Sequence, residues 1–289
     1  MLGIAAQPRT PRLRWPVCSE VVPQRHRIEA LASSSDLAEA SSFFVEAFWT
    51  AGTTFGEVVL SGREKKQLAK RMSQDFEERY GNSWSGRQRL FPSRLLVARQ
   101  DEEDVGLSDG IVAIAGVEAA LLNPFTRQVL TSAESEMLLR SELDAMSGPD
   151  YSTFSKLSRA EMVRQLYPEY QLLGLLTNLA VAPSLRRQGL ARALCRSCDD
   201  ACRSWRLSGL LLQVEEPNTA ALRLYTSQLG FEELWRDCDA TALRLVPGAS
   251  SVASSLLMLE SEDLLQSEPS TIVTLARAVT AKDEQAADR

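Results

Sequence analysis

Between Leu176 and Phe231 the chain gathers residues suited to holding an anion beside a buried strand. The run Leu176-Thr-Asn-Leu-Ala-Val181 reads as an apolar strand, and Arg186-Arg187-Gln188-Gly189-Leu190-Ala191 as a basic, glycine-containing turn into a helix. The first amides of such a helix lack partners and its positive end faces outward, so a phosphate or pyrophosphate is favoured there. Gly189 lets the backbone approach that anion without a Cβ in the way, and Arg186, Arg187 and Arg192 add positive charge around it. Farther on, Pro217 and Asn218 open a second helix, with Asn218 as its cap. Tyr225 lies two turns inside that helix, either as a proton donor or as a core tyrosine beside Leu222 and Leu229.

These residues resemble the GNAT N-acetyltransferases. Arg186 to Ala191 match the Arg/Gln-x-x-Gly-x-Gly/Ala acetyl-CoA loop of that superfamily, and Asn218-x-x-Ala221-x-x-x-Tyr225 with Gly230-Phe231 matches its second motif. The resemblance covers about Leu175 to Phe231 and implies an α/β (α+β) fold: a mixed central sheet of about six to seven strands, flanked by helices and split at the acetyl-CoA strand. It implies acetyl-CoA as co-substrate and no metal. The backbone of Leu179, Ala180 and Val181 then pairs with the pantetheine arm. Arg186, Arg187, Gln188, Gly189, Leu190, Ala191 and Arg192 hold the pyrophosphate, while Asn218 and Tyr225 add cofactor contacts. Tyr225 becomes the general acid that protonates the departing thiolate. One departure stands out: four residues, Thr-Ser-Gln-Leu, separate Tyr225 from Gly230, one more than the usual spacing.

Other chemistries are excluded by what is missing. His26 is the only histidine and sits in the basic leader, so catalysis by Ser/His/Asp or Cys/His and histidine-ligated metals are not expected of the folded part. Acid and base work falls to carboxylates, tyrosine, lysine, cysteine or water. Glu169, Glu215 and Glu216 flank the strands and are candidate bases or plain surface carboxylates. Cys195, Cys198 and Cys202 are spaced on one helix face with Leu194 and Ala201, a core stripe rather than a metal site. Five cysteines, an odd number, suggest no disulfide framework. A net charge of −6 implies no domain-wide basic face for nucleic acid. No apolar run approaches the roughly 20 residues of a membrane-spanning helix.

The elements that must position these residues follow from pattern. Residues 1–27 are rich in Arg and poor in acids, which suits a transit peptide or a disordered basic tail. As a transit peptide it would address an organelle, a plastid before a mitochondrion; without targeting the protein would be cytoplasmic. The resemblance implies an acetyltransferase domain over residues 28–248, in which pattern places a strand at Ile28–Leu31, a helix capped by Asp36, a helix over Glu57–Tyr80, strands at Arg94–Arg99 and Gly110–Leu122, and a central strand at Gln171–Val181. The charged run Arg63-Glu64-Lys65-Lys66 reads as a solvated face. Residues 123–169 carry helix patterns over Glu134–Met146 and Ser155–Leu166, and the resemblance implies that this stretch is an insertion that shapes the acceptor side. A helix over Ser184–Trp205, a strand at Gly209–Glu215 and closing strands at Phe231–Trp235 and Thr241–Val246 complete the domain. Residues 249–289 read as an acidic tail, with a short helix around Leu256–Leu265 and disorder from Lys282. The expected activity is acetyl transfer to a protein amine, an N-terminal α-amine or a lysine. The alternatives are a small amine such as a polyamine, or a non-catalytic acyl-CoA sensor.

Overall fold

Alternation builds the sheet. In a computed structural model, which describes residues 26–50, 58–81, 89–100, 110–245 and 264–279, strand β2 (Ser93–Gln100) sends Leu96 and Ala98 to one core and Leu95 and Val97 to the other. Its neighbour β3 (Ile111–Asn123) is buried on both faces, and its run of alanines lets helices pack closely from either side. β1 (His26–Ala30) pairs antiparallel with β2 at the edge, and thus starts two residues inside the expected leader. Most of the leader, residues 256–263 of the helix expected over Leu256–Leu265 and the end from 282 lie outside the described residues, and Leu265 itself opens a strand rather than closing that helix.

One core lies under α1 (Leu37–Phe44), which runs on into a π-turn at Val45–Thr50, and α2 (Gly62–Tyr80). In α2 the buried side chains Leu68, Met72, Phe76 and Tyr80 recur every four residues, the stripe of a one-sided helix. Its start is set by Ser61, whose hydroxyl accepts from the Glu64 amide while the Glu64 carboxylate accepts from the Ser61 amide. Glu64 is therefore buried in a capping box, not solvated with its charged neighbours. Asp36 precedes α1 without capping it, because its carboxylate accepts from the Ser33 hydroxyl and meets Arg99.

The other core holds α6 (Leu190–Ser204) and helices of the 123–169 stretch: α3 (Ser132–Ala145), α4 (Gly148–Phe154) and α5 (Arg159–Leu166), preceded by the short β4 (Gln128–Leu130). α6 lies tight on the central strand β5 (Gln171–Val181). A Cβ on Gly174 would stand 2.3 Å from Cys202 Sγ, so only glycine permits that approach. Cys195, Cys198 and Cys202 are all fully buried in this core, the packing role that their stripe implied.

The sheet runs β1-β2-β3-β5-β6-β10-β7, with β4 added on β3; β6 is Gly209–Glu215, β7 Glu232–Asp237 and β10 Ile272–Ala278. Among the described strands, only β5 and β6 are parallel neighbours. The position next to β6 corrects the sequence reading. β8 (Thr241–Leu245), expected to close the main sheet, instead pairs with β9 (Leu265–Pro269) in a separate two-stranded sheet. The stretch read as a tail supplies β10, which pairs antiparallel with β6 on one side and β7 on the other. β10 is tied to α6 by Arg277, which donates to both carboxylate oxygens of Asp199 at 2.7 Å.

Candidate active site

The site begins with a strand that loses its neighbour. β5 pairs with β6 only at Gly174, Leu175 and Leu176. Beyond that, β6 stays with β10 as far as Glu215, while β5 follows β3 as far as Val181. The sheet therefore opens between them into a cleft, along which β5 has no strand neighbour on that side among the described residues. At the mouth of the split the register of β5 against β3 slips, from Gly116–Thr177 to Ile114–Ala180, which inserts one extra residue. Asn178 occupies the bulge at φ 52°, a left-handed backbone that asparagine tolerates better than most residues. Leu179 and Val181 are half-buried along the opened edge, whereas the Ala180 side chain is buried toward α1 and α2.

A turn at the end of β5 feeds α6. Pro183–Leu185 form a short 3-10 turn, Arg187 is left-handed at φ 69°, and Gly189 is left-handed at φ 89° as the N-cap of α6. A 15-residue helix thus begins at Leu190, soon after β5 ends at Val181, with the first-turn amides of Leu190, Ala191 and Arg192 free of intrahelical partners. Arg187 and Gln188 are exposed, and the Gln188 amide donates to the Ser184 carbonyl. Arg186 has a positioning part as well. It donates to the Val181 carbonyl at 3.2 Å and to the Ala47 carbonyl at 3.0 Å, strapping the π-turn after α1 to the end of β5.

The second motif follows β6. The Asn218 side-chain oxygen accepts from the Ala221 amide at 3.2 Å, capping α7 (Thr219–Arg223). The extra residue after Tyr225 is absorbed by a π-turn over Leu224–Gln228, and the Phe231 amide then reaches the Tyr225 carbonyl at 3.0 Å. Gly230, at φ 68°, makes that closing turn. Tyr225 is 8% exposed, its ring set edge-on to Phe231 at 5.7 Å between centroids. Burial raises its phenol well above the ordinary range, with Cys195 and Cys198 adding to the shift.

The three candidate carboxylates are not poised as bases. Glu215 accepts from Arg244 and from the Ser270 hydroxyl, which fastens the β8–β9 ribbon to the end of β6. Glu216 pairs with Arg236, and Glu169 is exposed at the end of β5 away from the split. Sequence reasoning missed a polar group beneath the bulge. The Tyr80 hydroxyl, at the end of α2, lies 2.7 Å from Thr177 Oγ1 and accepts from the Asn178 side-chain amide at 3.0 Å. The clues were a glycine inside an alanine-rich strand, Gly116, and a lone asparagine inside an apolar one. Glu118 was missed too. Fully buried on β3, it accepts from Arg79 and from the amide and hydroxyl of Ser132, so it anchors the first turn of α3 to α2.

No curated protein matches the chain in sequence. Among solved structures, NAA60 of Arabidopsis thaliana in complex with acetyl-CoA aligns at 14% identity and TM-score 0.46, over 89% of this chain and 99% of that one. The putative acetyltransferase yncA of Salmonella typhimurium with its cofactor acetyl-CoA aligns at 13% identity and TM-score 0.43, over 89% and 95%. The ribosomal-protein-S18-alanine N-acetyltransferase of Escherichia coli aligns at 16% and 0.39, over 89% and 95%. Residues 163–231 match the family model described as Acetyltransferase (GNAT) family. That segment holds the bulged strand, the glycine turn and the π-turned helix together, and over it this chain is similar to the acetyltransferases of the GNAT family.

Proposed function

We propose that the chain transfers an acetyl group from acetyl-CoA to an amine of a protein, an N-terminal α-amine or a lysine side chain. The observation that carries this reading is the cleft between β5 and β6 leading to the left-handed Gly189 turn. An extended arm fits against the open edge of β5, and a pyrophosphate fits the first-turn amides of α6 beside Arg187 and Arg192. Acetyl-CoA supplies an activated acyl carbon; everything else falls to the chain. Amides of the bulge around Leu179 polarise the carbonyl, and the cleft walls align the incoming amine.

Tyr225 is assigned to the leaving thiolate. Because burial keeps its phenol protonated, it remains a hydrogen-bond donor at any pH near neutrality. The same shift makes full proton transfer to a thiolate uphill, so the phenol stabilises the departing sulfur and solvent completes the protonation. Removal of the amine's own proton is assigned to water in the cleft, since Glu215 and Glu216 are engaged in ion pairs. The protein acceptor is favoured by the helical stretch at 123–169, which adds surface beside the central strands. The basic leader favours an organelle, a plastid first, as the place of action.

The test is acetyl transfer from labelled acetyl-CoA to peptides with free N-termini and internal lysines, with small polyamines in parallel. Labelled peptides establish the protein acceptor. Labelled polyamine alone moves the substrate class to small amines, and CoA binding without any transfer establishes a sensor instead.

A further inference from the structure

We propose that Tyr80 is a positioning residue for acetyl transfer: its hydroxyl, bonded to Thr177 and Asn178, holds the β5 bulge in the shape that turns backbone amides toward the acyl group. The inference rests on the reading of the cleft as an acetyl-CoA site.

The first observation is the bonding. Tyr80 is fully buried and comes from α2, far in sequence from the bulge, yet its oxygen meets both residues on which the register slips, at 2.7 and 3.0 Å. A second observation is the room made for that oxygen. A Cβ on Gly116 would lie 2.1 Å from the Tyr80 hydroxyl and 2.7 Å from Thr177 Oγ1, so β3 carries glycine opposite the bulge, where the hydroxyl is seated. The third is the backbone. Asn178 stands at φ 52°, a left-handed conformation that L-residues seldom keep unless their surroundings hold it. Burial pushes the Tyr80 phenol up to about 12, so it stays a neutral phenol where the enzyme works. A core that needed only a ring at this place would be served by phenylalanine. The bonded hydroxyl and the slot at Gly116 fit a device that fixes the bulge.

Tyr80→Phe removes the oxygen and keeps the ring. The expected result is a kcat, per CoA-binding site, lower by about 10- to 100-fold, with KM for acetyl-CoA within about threefold of wild type. Titrating CoA-binding sites in each preparation removes any contribution from unfolded protein. Asn178→Gly offers an independent check, because glycine adopts the left-handed backbone without the side-chain bond. Adding Tyr80→Phe to Asn178→Gly should cost less than it does in wild type, since both act on one bulge. Isotope-edited infrared spectra of bound acetyl-CoA, labelled at the carbonyl carbon, need no acceptor. The carbonyl band should lie lower in wild type than in Tyr80→Phe. An active wild type with unchanged kcat in Tyr80→Phe, independent effects in the double variant, or an unmoved carbonyl band overturns the role of Tyr80 alone. A wild-type chain that binds no CoA overturns the parent reading and this one with it.

Discussion

At the scale of single residues, the proposed function gives the glycine turn to binding and the buried tyrosine to chemistry. Gly189 is left-handed at the N-cap of α6, so a side chain there is strained and a charged one stands at the proposed anion site. Gly189→Glu should weaken CoA binding by at least about 100-fold in calorimetry while circular dichroism stays native, because the carboxylate repels phosphate where the helix end attracted it. Retained micromolar affinity would remove the turn from the site. Tyr225→Phe should do the reverse, leaving CoA affinity intact and lowering kcat about 10- to 100-fold, the loss of one donor to the departing sulfur. These residues were legible because glycine, arginine and tyrosine were tied to particular spacings in the chain. Tyr80 was not, because nothing in the sequence brings the end of α2 beneath Asn178; only the antiparallel pairing of β3 with β5 does.

At the scale of elements, periodicity revealed what is long and regular and missed what depends on partners far along the chain. The central strand at Gln171–Val181 appears with the limits its apolar run gave, and β6 likewise. The extra residue between Tyr225 and Gly230 signalled a distortion whose form, a π-turn, only the backbone reveals. β10 was passed over. Its run Ile-Val-Thr-Leu-Ala is short, follows a Ser- and Ala-rich stretch, and becomes a strand through the two edges it joins. The consequence is testable. A chain ending at residue 248 lacks β9 and β10, leaves β6 and β7 without their shared partner, and removes Arg277 from Asp199. It should be insoluble or bind no CoA, whereas a chain ending after Val279 should melt cooperatively with CoA affinity unchanged. A soluble, CoA-binding chain ending at 248 would demote β10 to an ornament of the sheet.

At the scale of the whole molecule, the composition foretold an ordinary apolar core but not how many ionisable groups that core would hide. Cysteine and tyrosine count as hydrophobes while neutral, and one stripe of α6 places three thiols against the sheet beside Tyr225. Burial pushes Cys195, Cys202 and Tyr80 up to about 12 and raises Cys198 and Tyr225 well above their ordinary ranges. In the unfolded chain the thiols release their protons near 9.0 and the phenols near 10.0. Between those values and the raised ones the folded protein binds more protons than the unfolded, so unfolding free energy must fall as pH rises. Stability from these groups is thus whole below about pH 8.5 and is lost above it, first through the thiols and then through the phenols. Each group removes up to about 1.4 kcal/mol per pH unit within its window. Urea denaturation between about pH 7.5 and 10 should show a flat limb followed by a steepening decline. Cys195→Ala with Cys202→Ala should make the decline from about pH 8.5 to 9.5 shallower, because two of the buried thiols no longer titrate. A wild-type profile that stays flat to pH 10 would mean that solvent reaches these thiols in the folded state, and with it that α6 does not seal the core beneath the cleft.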